Sequence, residues 1–136
     1  MPEASCTSQA IRVLRPADRS ASEAYFSTEI AGNTVTRFGL VDVGGPCLQL
    51  AYAQTDAGAH FPLQYHRGGI ELAVILSGEG AMITEDHKAY PFEGGDIVIV
   101  PAEITYQVVN RGEGELRAWI FFAEETRSYW PDGSPA

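Results

Sequence analysis

Short apolar segments alternate with turn sequences along most of this chain. Apolar side chains occupy alternate positions at Leu48, Leu50 and Tyr52, which is the period of a strand with one buried face. Residues 97–100 are apolar on both faces, so we expect a filled interior on one side and a second sheet or a partner subunit on the other. The pattern predicts strands over residues 34–43, 47–54, 72–76, 81–84, 89–92, 97–100, 106–110 and 116–122.

Glycine and proline mark the turns between these strands. Residues 44–46 (Gly-Gly-Pro) end one strand, and residues 78–80 (Gly-Glu-Gly) predict a hairpin between two others. A short helical or irregular segment is expected around residues 20–25, where a serine can cap a turn. Because the strands are short and evenly spaced, the pattern predicts an all-β fold, an antiparallel sandwich or barrel.

The length of 136 residues is typical of one domain that buries its own core. We divide the chain into an N-terminal arm with the first strand region (residues 1–33), a β-barrel (34–122) and a C-terminal tail (123–136). Tyr129 and Trp130 lie in the tail and are costly to leave in solvent. We therefore expect the tail to pack on the barrel, covering its mouth, or across a dimer interface.

Charge narrows the classes of partner. The chain has 9 basic and 18 acidic side chains, a net charge of -9, and its basic residues are scattered, which argues against nucleic-acid binding and favours a small-molecule partner. No apolar run reaches the length of a signal peptide or a membrane span, so we expect a cytoplasmic protein without membrane association. Cys6 and Cys47 form neither a disulfide framework nor a metal motif.

Side chains that can bind a metal concentrate between residues 58 and 71. Gln64 and His66 are two positions apart, so an extended strand points both to one face, and Glu71 opens the next strand and can converge on them. Imidazole, carboxylate and amide donors suit Zn, Fe(II), Mn or Ni. Tyr65 and Arg67 alternate away from this face and are expected to be packing or surface residues. The other two histidines, at positions 60 and 87, are expected at a rim or loop and in an exposed turn.

The same segment resembles the first motif of the cupin superfamily. Its spacing runs from Gly58 through five residues to Gln64, then to His66, through four residues to Glu71, and through six residues to Gly78. The family pattern has a histidine where this chain has Gln64. Some cupins that isomerise sugar phosphates resemble this chain in using a Gln-x-His pair.

A second stretch resembles the second cupin motif without a gap. The matching positions are Gly95, Pro101 and Asn110, whereas Glu103 replaces a glycine and Tyr106 replaces the metal-binding histidine. The two motifs with their flanking strands cover roughly residues 34–122. The resemblance therefore implies a jelly-roll (double-stranded β-helix) barrel.

Carried over to this chain, the resemblance implies a site in the barrel mouth with Gln64, His66, Glu71 and Tyr106 as metal ligands and with His66, Glu71 and Tyr106 as catalytic residues. The implied cofactor is a divalent or trivalent metal ion (Zn, Fe, Mn or Ni). Two roles stay open for Tyr106: its phenol, with a pKa near 10, either loses its proton and binds the metal as a phenolate, or stays protonated as a hydrogen-bond donor or general acid. Candidates to line the rest of the pocket are Phe38, Gln49, Tyr52, Ile75, Trp119 and Phe121.

The resemblance implies several functions. The first is a metal-dependent enzyme that acts on a small organic metabolite by non-redox chemistry, such as elimination, isomerisation or cyclisation, with the metal as Lewis acid. An Fe(II) or Ni(II) dioxygenase is the alternative within enzymes, although the loss of two histidines argues against it. Two further alternatives contain no metal: a module that binds a small ligand, and an enzyme with His66 as base and Tyr106 as acid.

Strands that are apolar on both faces favour a homodimer.

Overall fold

The computed structural model describes residues 26–30, 32–41, 48–123 and 125–136. In this part of the chain the regular elements are strands, with no helix, so the predicted all-β class is confirmed. The helical or irregular segment expected around residues 20–25, both cysteines and the turn at 44–46 lie outside the described residues. None of the described residues belongs to a helix long and apolar enough to cross a membrane.

Eleven strands follow one another along the described residues. Eight of them match predicted strands, and the three that the pattern did not predict, β1, β4 and β11, have only three to five residues. The strands are β1 (Phe26–Ile30), β2 (Asn33–Val41), β3 (Leu48–Thr55), β4 (Tyr65–Arg67), β5 (Glu71–Ser77), β6 (Glu79–Thr84), β7 (Ala89–Glu93), β8 (Ile97–Val100), β9 (Tyr106–Asn110), β10 (Leu116–Ala123) and β11 (Arg127–Tyr129).

The strands form a jelly-roll barrel in which every strand pair is antiparallel. The large sheet has six strands in the order β1-β2-β3-β10-β5-β8, and the small sheet has three in the order β7-β6-β9. A two-stranded ribbon of β11 and β4 completes the arrangement. The hairpin predicted over residues 78–80 is wrong: Gly78 alone links β5 to β6, residues 79 and 80 already belong to β6, and the two strands lie in different sheets.

Strand β5 shows how the barrel interior is built. Glu71, Ala73 and Ile75 are buried on its inner face, whereas Leu72 and Val74 are half-buried on the other face. The inner face changes from polar to apolar along the strand. The apolar part belongs to a core of Ala73, Ile75, Met82, Phe92, Val100, Leu116 and Ala118, which the ring of Tyr106 joins.

Strand register separates the pocket candidates into two groups. Ala51, Ala53, Ala118 and Ile120 belong to the core clusters, so Gln49 and Ile75 share the inner face with them. Tyr52, Trp119 and Phe121 stand at the alternate positions and therefore lie on the opposite face, so their placement in the pocket was wrong. Tyr52 and Trp119 pack edge to face there, with ring centroids 5.0 Å apart. The side chain of Phe38 lies outside the described part.

Two residues of the cupin-like motifs, Gly78 and Asn110, shape the turns of the barrel. Gly78 has a φ of 97°, and a Cβ on it would lie 2.9 Å from the backbone of Leu116, so only glycine fits this turn. Asn110 donates to the carbonyl oxygens of Thr55 and Gly114 at 3.0 and 2.9 Å and accepts from the amide of Gly112 at 2.8 Å. These bonds tie the end of β9 to the end of β3 and to the turn before β10.

Candidate acid–base site

Three polar side chains from three strands meet inside the barrel. His66 on β4, Glu71 on β5 and Tyr106 on β9 are each 3% exposed. Nε2 of His66 lies 3.0 Å from Oε1 of Glu71 and 2.7 Å from the hydroxyl of Tyr106, and that hydroxyl donates to the same oxygen of Glu71. We call His66, Glu71 and Tyr106 the polar cluster.

Local strand geometry positions each member of the cluster. Alternation along β4 turns His66 inward and its neighbours outward, as predicted: Tyr65 stacks on the ring of Tyr129 at 5.5 Å, and Arg67 is exposed. Glu71 is the first residue of β5 and pairs with strands on both sides. The backbones of Gln64 and Tyr106 exchange two hydrogen bonds of 2.9 Å, which hold the start of β9 beside β4.

All four residues implied as the site by the cupin resemblance line one cavity of about 70 Å³. Gln64 is half-buried beside the polar cluster. The edge of the Phe122 ring lies against His66, with ring centroids 4.9 Å apart. The remaining wall is mostly apolar and includes Val35, Ala51, Ala53, Phe61, Val108 and Ile120. His60 and His87 are exposed and do not line this cavity, in agreement with the sequence-based prediction.

Tyr106 remains a neutral phenol in this setting. Burial raises the pKa of Tyr106 well above its usual value near 10, and the negative charge of Glu71 and the hydrogen bond to it raise that pKa further. The proton therefore stays on the phenol at physiological pH. Of the two readings of Tyr106, this geometry supports the protonated hydrogen-bond donor.

Sequence reasoning missed one member of the site, Ser128. Strand β11 pairs with β4 so that Ser128 stands opposite His66, and its Oγ lies 2.8 Å from Nδ1 of the imidazole. The aromatic side chains of Tyr129 and Trp130 predict only that this segment covers the barrel. Strand β11 is too short for a recognisable alternation of apolar and polar residues, so only its pairing with β4 reveals where Ser128 lies.

The polar cluster and Gln64 offer a mixed set of possible metal donors. Among the described residues, no group of three or more histidine, cysteine, aspartate or glutamate side chains is placed to hold a metal ion. The set has one imidazole, one carboxylate, one amide and one phenol, and the phenol donates its hydrogen bond to the carboxylate. A metal would have to displace the phenol proton and recruit the amide of Gln64. The assignment of these four residues as metal ligands stays a prediction.

Comparison with known protein families identifies the fold. The model of the cupin domain family matches residues 51–122, more than half of the chain. The chain belongs to the cupin domain family. This stretch contains both motifs on which the sequence-based resemblance rested, so that prediction is confirmed. No curated protein sequence matches the chain.

Solved structures with the same cupin fold have different activities. An oxalate decarboxylase variant of Bacillus subtilis has a TM-score of 0.66 and 21% identity over 78% of this chain, which spans only 30% of that protein. Another structure of this decarboxylase is described by its Mn(II) centres. A sugar phosphate isomerase of Silicibacter pomeroyi has a TM-score of 0.62 and 19% identity over 88% of this chain and 94% of its own. At these identities the likeness establishes the fold alone.

Proposed function

We propose that this cupin is an enzyme that transfers protons on a small organic molecule without changing its oxidation state, as in an isomerisation or an elimination. The observation that carries the proposal is the polar cluster: a protonated phenol, a carboxylate and an imidazole share hydrogen bonds beside a cavity. Donor and acceptor groups so close together, and shielded from water, are the arrangement that general acid–base catalysis needs.

Each group has a separate role in this chemistry. The His66–Glu71 pair takes a proton from a carbon next to a carbonyl group, and the C–H electron pair becomes a carbon–carbon double bond. The carbonyl oxygen receives the proton of Tyr106, so that an enediol or enol forms and charge is conserved. To complete an isomerisation, the His66–Glu71 pair gives its proton to the former carbonyl carbon, and the Tyr106 phenolate takes the proton of the other enediol hydroxyl, which becomes the new carbonyl. To complete an elimination, the phenolate takes back the enol proton, the carbonyl re-forms, and a hydroxyl group on the next carbon leaves as water with the proton of the His66–Glu71 pair.

Two cavities border the polar cluster. The space lined by all three of its members is about 70 Å³, well below the roughly 300–1,000 Å³ of pockets that enclose drug-sized ligands, and Tyr106 also lines a cavity of about 900 Å³ with Val98 and Val100. A compact molecule, or the reacting end of a longer one, fits the smaller space. Gln64 lies at the same cavity and can hydrogen-bond a hydroxyl or carbonyl group of the substrate.

The three alternatives to this proposal are a metal-dependent version of the reaction, a dioxygenase and a binding module, and each makes a different use of the polar cluster. A metal-dependent version of the reaction would use Gln64, His66, Glu71 and Tyr106 as ligands of a Zn, Fe, Mn or Ni ion. Tyr106 would then be deprotonated in the resting protein and its hydrogen bond to Glu71 broken, whereas the proposed reaction keeps both until a substrate carbonyl accepts the proton. An Fe(II) or Ni(II) dioxygenase usually has a nitrogen-rich ligand set, and the polar cluster contains one imidazole. A module that only binds a small ligand has no need for a phenol–carboxylate hydrogen bond in its cavity.

Solvent deuterium exchange tests the proposed reaction without knowledge of the substrate. The protein is incubated in D₂O with separate sets of 2-oxo acids, 3-oxo acids, aldoses and ketoses, and proton NMR follows loss of the signal next to each carbonyl group. We expect one set to exchange faster than in buffer. Exchange should survive treatment with a chelator and should fall in Tyr106→Phe, which keeps the ring and removes only the hydroxyl.

Two controls make this experiment decisive. Tyr52→Phe removes a hydroxyl from a tyrosine on the face of β3 opposite the cavity and should exchange like the wild type. Exchange that appears only after a metal ion is added would replace the proposal with its metal-dependent alternative. Absence of exchange or turnover in every set, or equal rates in Tyr106→Phe and wild type, would contradict it.

We also propose a homodimer formed through the outer face of β8. Ile97 and Ile99 on this face are 62% and 59% exposed, and Leu76 on the neighbouring β5 is exposed as well. Among the described strands β8 pairs with β5 alone, and it carries no charged residue to protect its other edge. A second copy is the favoured occupant because two chains of net charge -9 can approach most easily through an uncharged patch.

Light scattering after size exclusion tests the dimer. The wild type is expected to have the mass of two chains at micromolar concentration, and the double variant Ile97→Lys/Ile99→Lys the mass of one. Glu113→Lys, at an exposed position of the turn between β9 and β10, should remain dimeric. A monomeric wild type, or a double variant that stays dimeric, would refute this interface.

A further inference from the structure

Ser128 contacts Nδ1 of His66, the ring nitrogen that has no partner within the polar cluster. Nε2 faces Glu71 and Tyr106, whereas Nδ1 faces the hydroxyl of Ser128 at 2.8 Å. His66 is buried, so each ring nitrogen needs a partner inside the protein. Ser128 is the partner of Nδ1.

The hydroxyl of Ser128 can hold the imidazole in either tautomer of the neutral ring. When Nε2 carries the hydrogen, Nδ1 is bare and the Ser128 hydroxyl can donate to it. When Nδ1 carries the hydrogen, the same oxygen can accept from it. A carbonyl oxygen could only accept, and a backbone amide could only donate.

Contacts on both sides of β11 hold Ser128 in place. The side-chain amide of Gln49 donates to the carbonyl oxygens of Ala123 and Thr126 at 3.0 and 2.7 Å, which anchors the chain just before β11. Gly68, with a φ of 101°, lets this segment approach β4, because a Cβ there would lie 2.8 Å from the carbonyl oxygen of Glu125.

The outer side of β4 adds a second anchor to β11. Tyr65 stacks on Tyr129, and the guanidinium of Arg67 lies 5.7 and 5.5 Å from the centroids of these two rings. Arg67 also pairs with Glu103, with Nε 2.9 Å from Oε2. The neighbours of Ser128 are therefore packed against β4, and the serine itself faces inward onto His66.

We propose that Ser128 is a positioning residue, whose hydroxyl fixes the imidazole of His66 by a hydrogen bond to Nδ1 while Nε2 faces the polar cluster. The C-terminal strand thereby belongs to the acid–base site and is more than a cover over the barrel. This proposal rests on the proposed proton-transfer function for its purpose, but the hydrogen bond it concerns is measurable in the resting protein.

Imidazole NMR with ¹⁵N-labelled histidine provides the first readout. Three histidines are present, and His66→Gln identifies the signals of His66. In the neutral ring a nitrogen that accepts a hydrogen bond resonates apart from a bare one. We expect Nδ1 of His66 to shift in Ser128→Ala and Ser128→Val and to stay at the wild-type position in Ser128→Thr. Thr and Val have the same shape, so this pair separates the hydroxyl from packing and from any failure to fold.

Deuterium exchange on the substrate set that the wild type accepts provides the second readout. An unpaired buried nitrogen costs about 1–3 kcal/mol, so kcat should fall about 5- to 150-fold in Ser128→Ala and Ser128→Val, with KM nearly unchanged. Ser128→Thr should restore it. Ser134→Ala is the matched control, since Ser134 belongs to the same terminal segment and bonds Asp132 instead of His66.

The two readouts keep this proposal separate from the proposed function. An unchanged Nδ1 signal in both Ser128→Ala and Ser128→Val would overturn the role of Ser128, whatever the enzyme does. A shifted Nδ1 signal with wild-type kcat in the same variants would overturn it as well. Failure to find any exchange activity would remove the proposed function, and the NMR result would still decide whether Ser128 holds His66.

Discussion

The two ends of the barrel interior use the same strands for different purposes. On β5, Glu71 reaches the polar cluster, and Ile75, two inward positions further along, reaches the apolar end formed with Met82, Phe92 and Leu116. Both positions are buried, at 3% and 2% exposure. At the apolar end, any side chains of suitable volume can fill the space, whereas at the polar end each group depends on one particular partner from another strand.

This difference means that the two ends should respond oppositely to substitution. Volume changes at the apolar end should alter the free energy of unfolding and spare the chemistry. Nearly isosteric changes at the polar end should spare much of the fold and remove the chemistry.

The largest effect is expected from Glu71→Gln at the polar end. Gln keeps the size of the side chain but removes the charge that accepts hydrogen bonds from Tyr106 and His66, so exchange activity should fall by about 10²–10⁴-fold. Deuterium exchange on the accepted substrate set measures this. Glu79→Gln, on an exposed position of β6, is the control. A Glu71→Gln rate within threefold of the wild type would show that the two ends do not differ in this way.

Ile75→Ala tests the apolar end. The lost methyl and methylene groups leave a cavity in the core, so the free energy of unfolding should fall by about 2–5 kcal/mol. Urea denaturation measures the change, and Ile75→Val should cost only about 0.5–1.5 kcal/mol. The exchange rate of the folded fraction should stay close to wild type. A cost for Ile75→Ala no larger than that of Ile75→Val would argue against a tightly packed apolar end.

Alkaline pH should weaken the polar end through Tyr106. Its pKa is raised in the folded protein, so the stability associated with this phenol is complete below about pH 10 and declines at higher pH, where the unfolded chain ionises first. The difference between wild type and Tyr106→Phe should shrink by up to about 1.4 kcal/mol per pH unit above that point. Urea unfolding between about pH 8 and 11 measures it. A constant difference across this range would contradict a buried neutral phenol.

The smallest effect concerns Glu103, beside the polar end. Its backbone has a φ of 70°, although the second cupin motif has glycine at this position. Glu103→Gly should therefore relieve strain and lose only an exposed ion pair with Arg67, a net gain below about 1 kcal/mol. Glu103→Ala keeps the strain and loses the pair, so it should be slightly less stable than wild type. Thermal unfolding that ranks Ala above Gly would contradict this account.

Much of the fold follows from local pattern. Alternation and turn residues predicted eight of the strands, and the resemblance of the two motifs to those of cupins implied that Gln64, His66, Glu71 and Tyr106 would share one site. The short strands β4 and β11 have only three residues each, too few for a periodicity to be recognised. Alternation also cannot say which face is the interior, which is why Trp119 was placed on the wrong side.

Sequence patterns could not predict the protonation of Tyr106 or the role of Ser128, because both depend on contacts between residues that are far apart along the chain. The pKa of the phenol depends on burial and on the distance to Glu71, which lies 35 residues away along the chain. Ser128 reaches His66 across 62 residues because β11 returns to pair with β4.

By itself, the sequence determined the all-β class, the turn positions and which side chains could carry chemistry, because these follow from residue types and from the two-residue period of a strand. Only the tertiary structure decided that Tyr106 donates a hydrogen bond to Glu71 and that Ser128 holds the second nitrogen of His66. Hydrogen bonding and desolvation depend on distances between strands, and those distances exist only after the sheets have closed into a barrel.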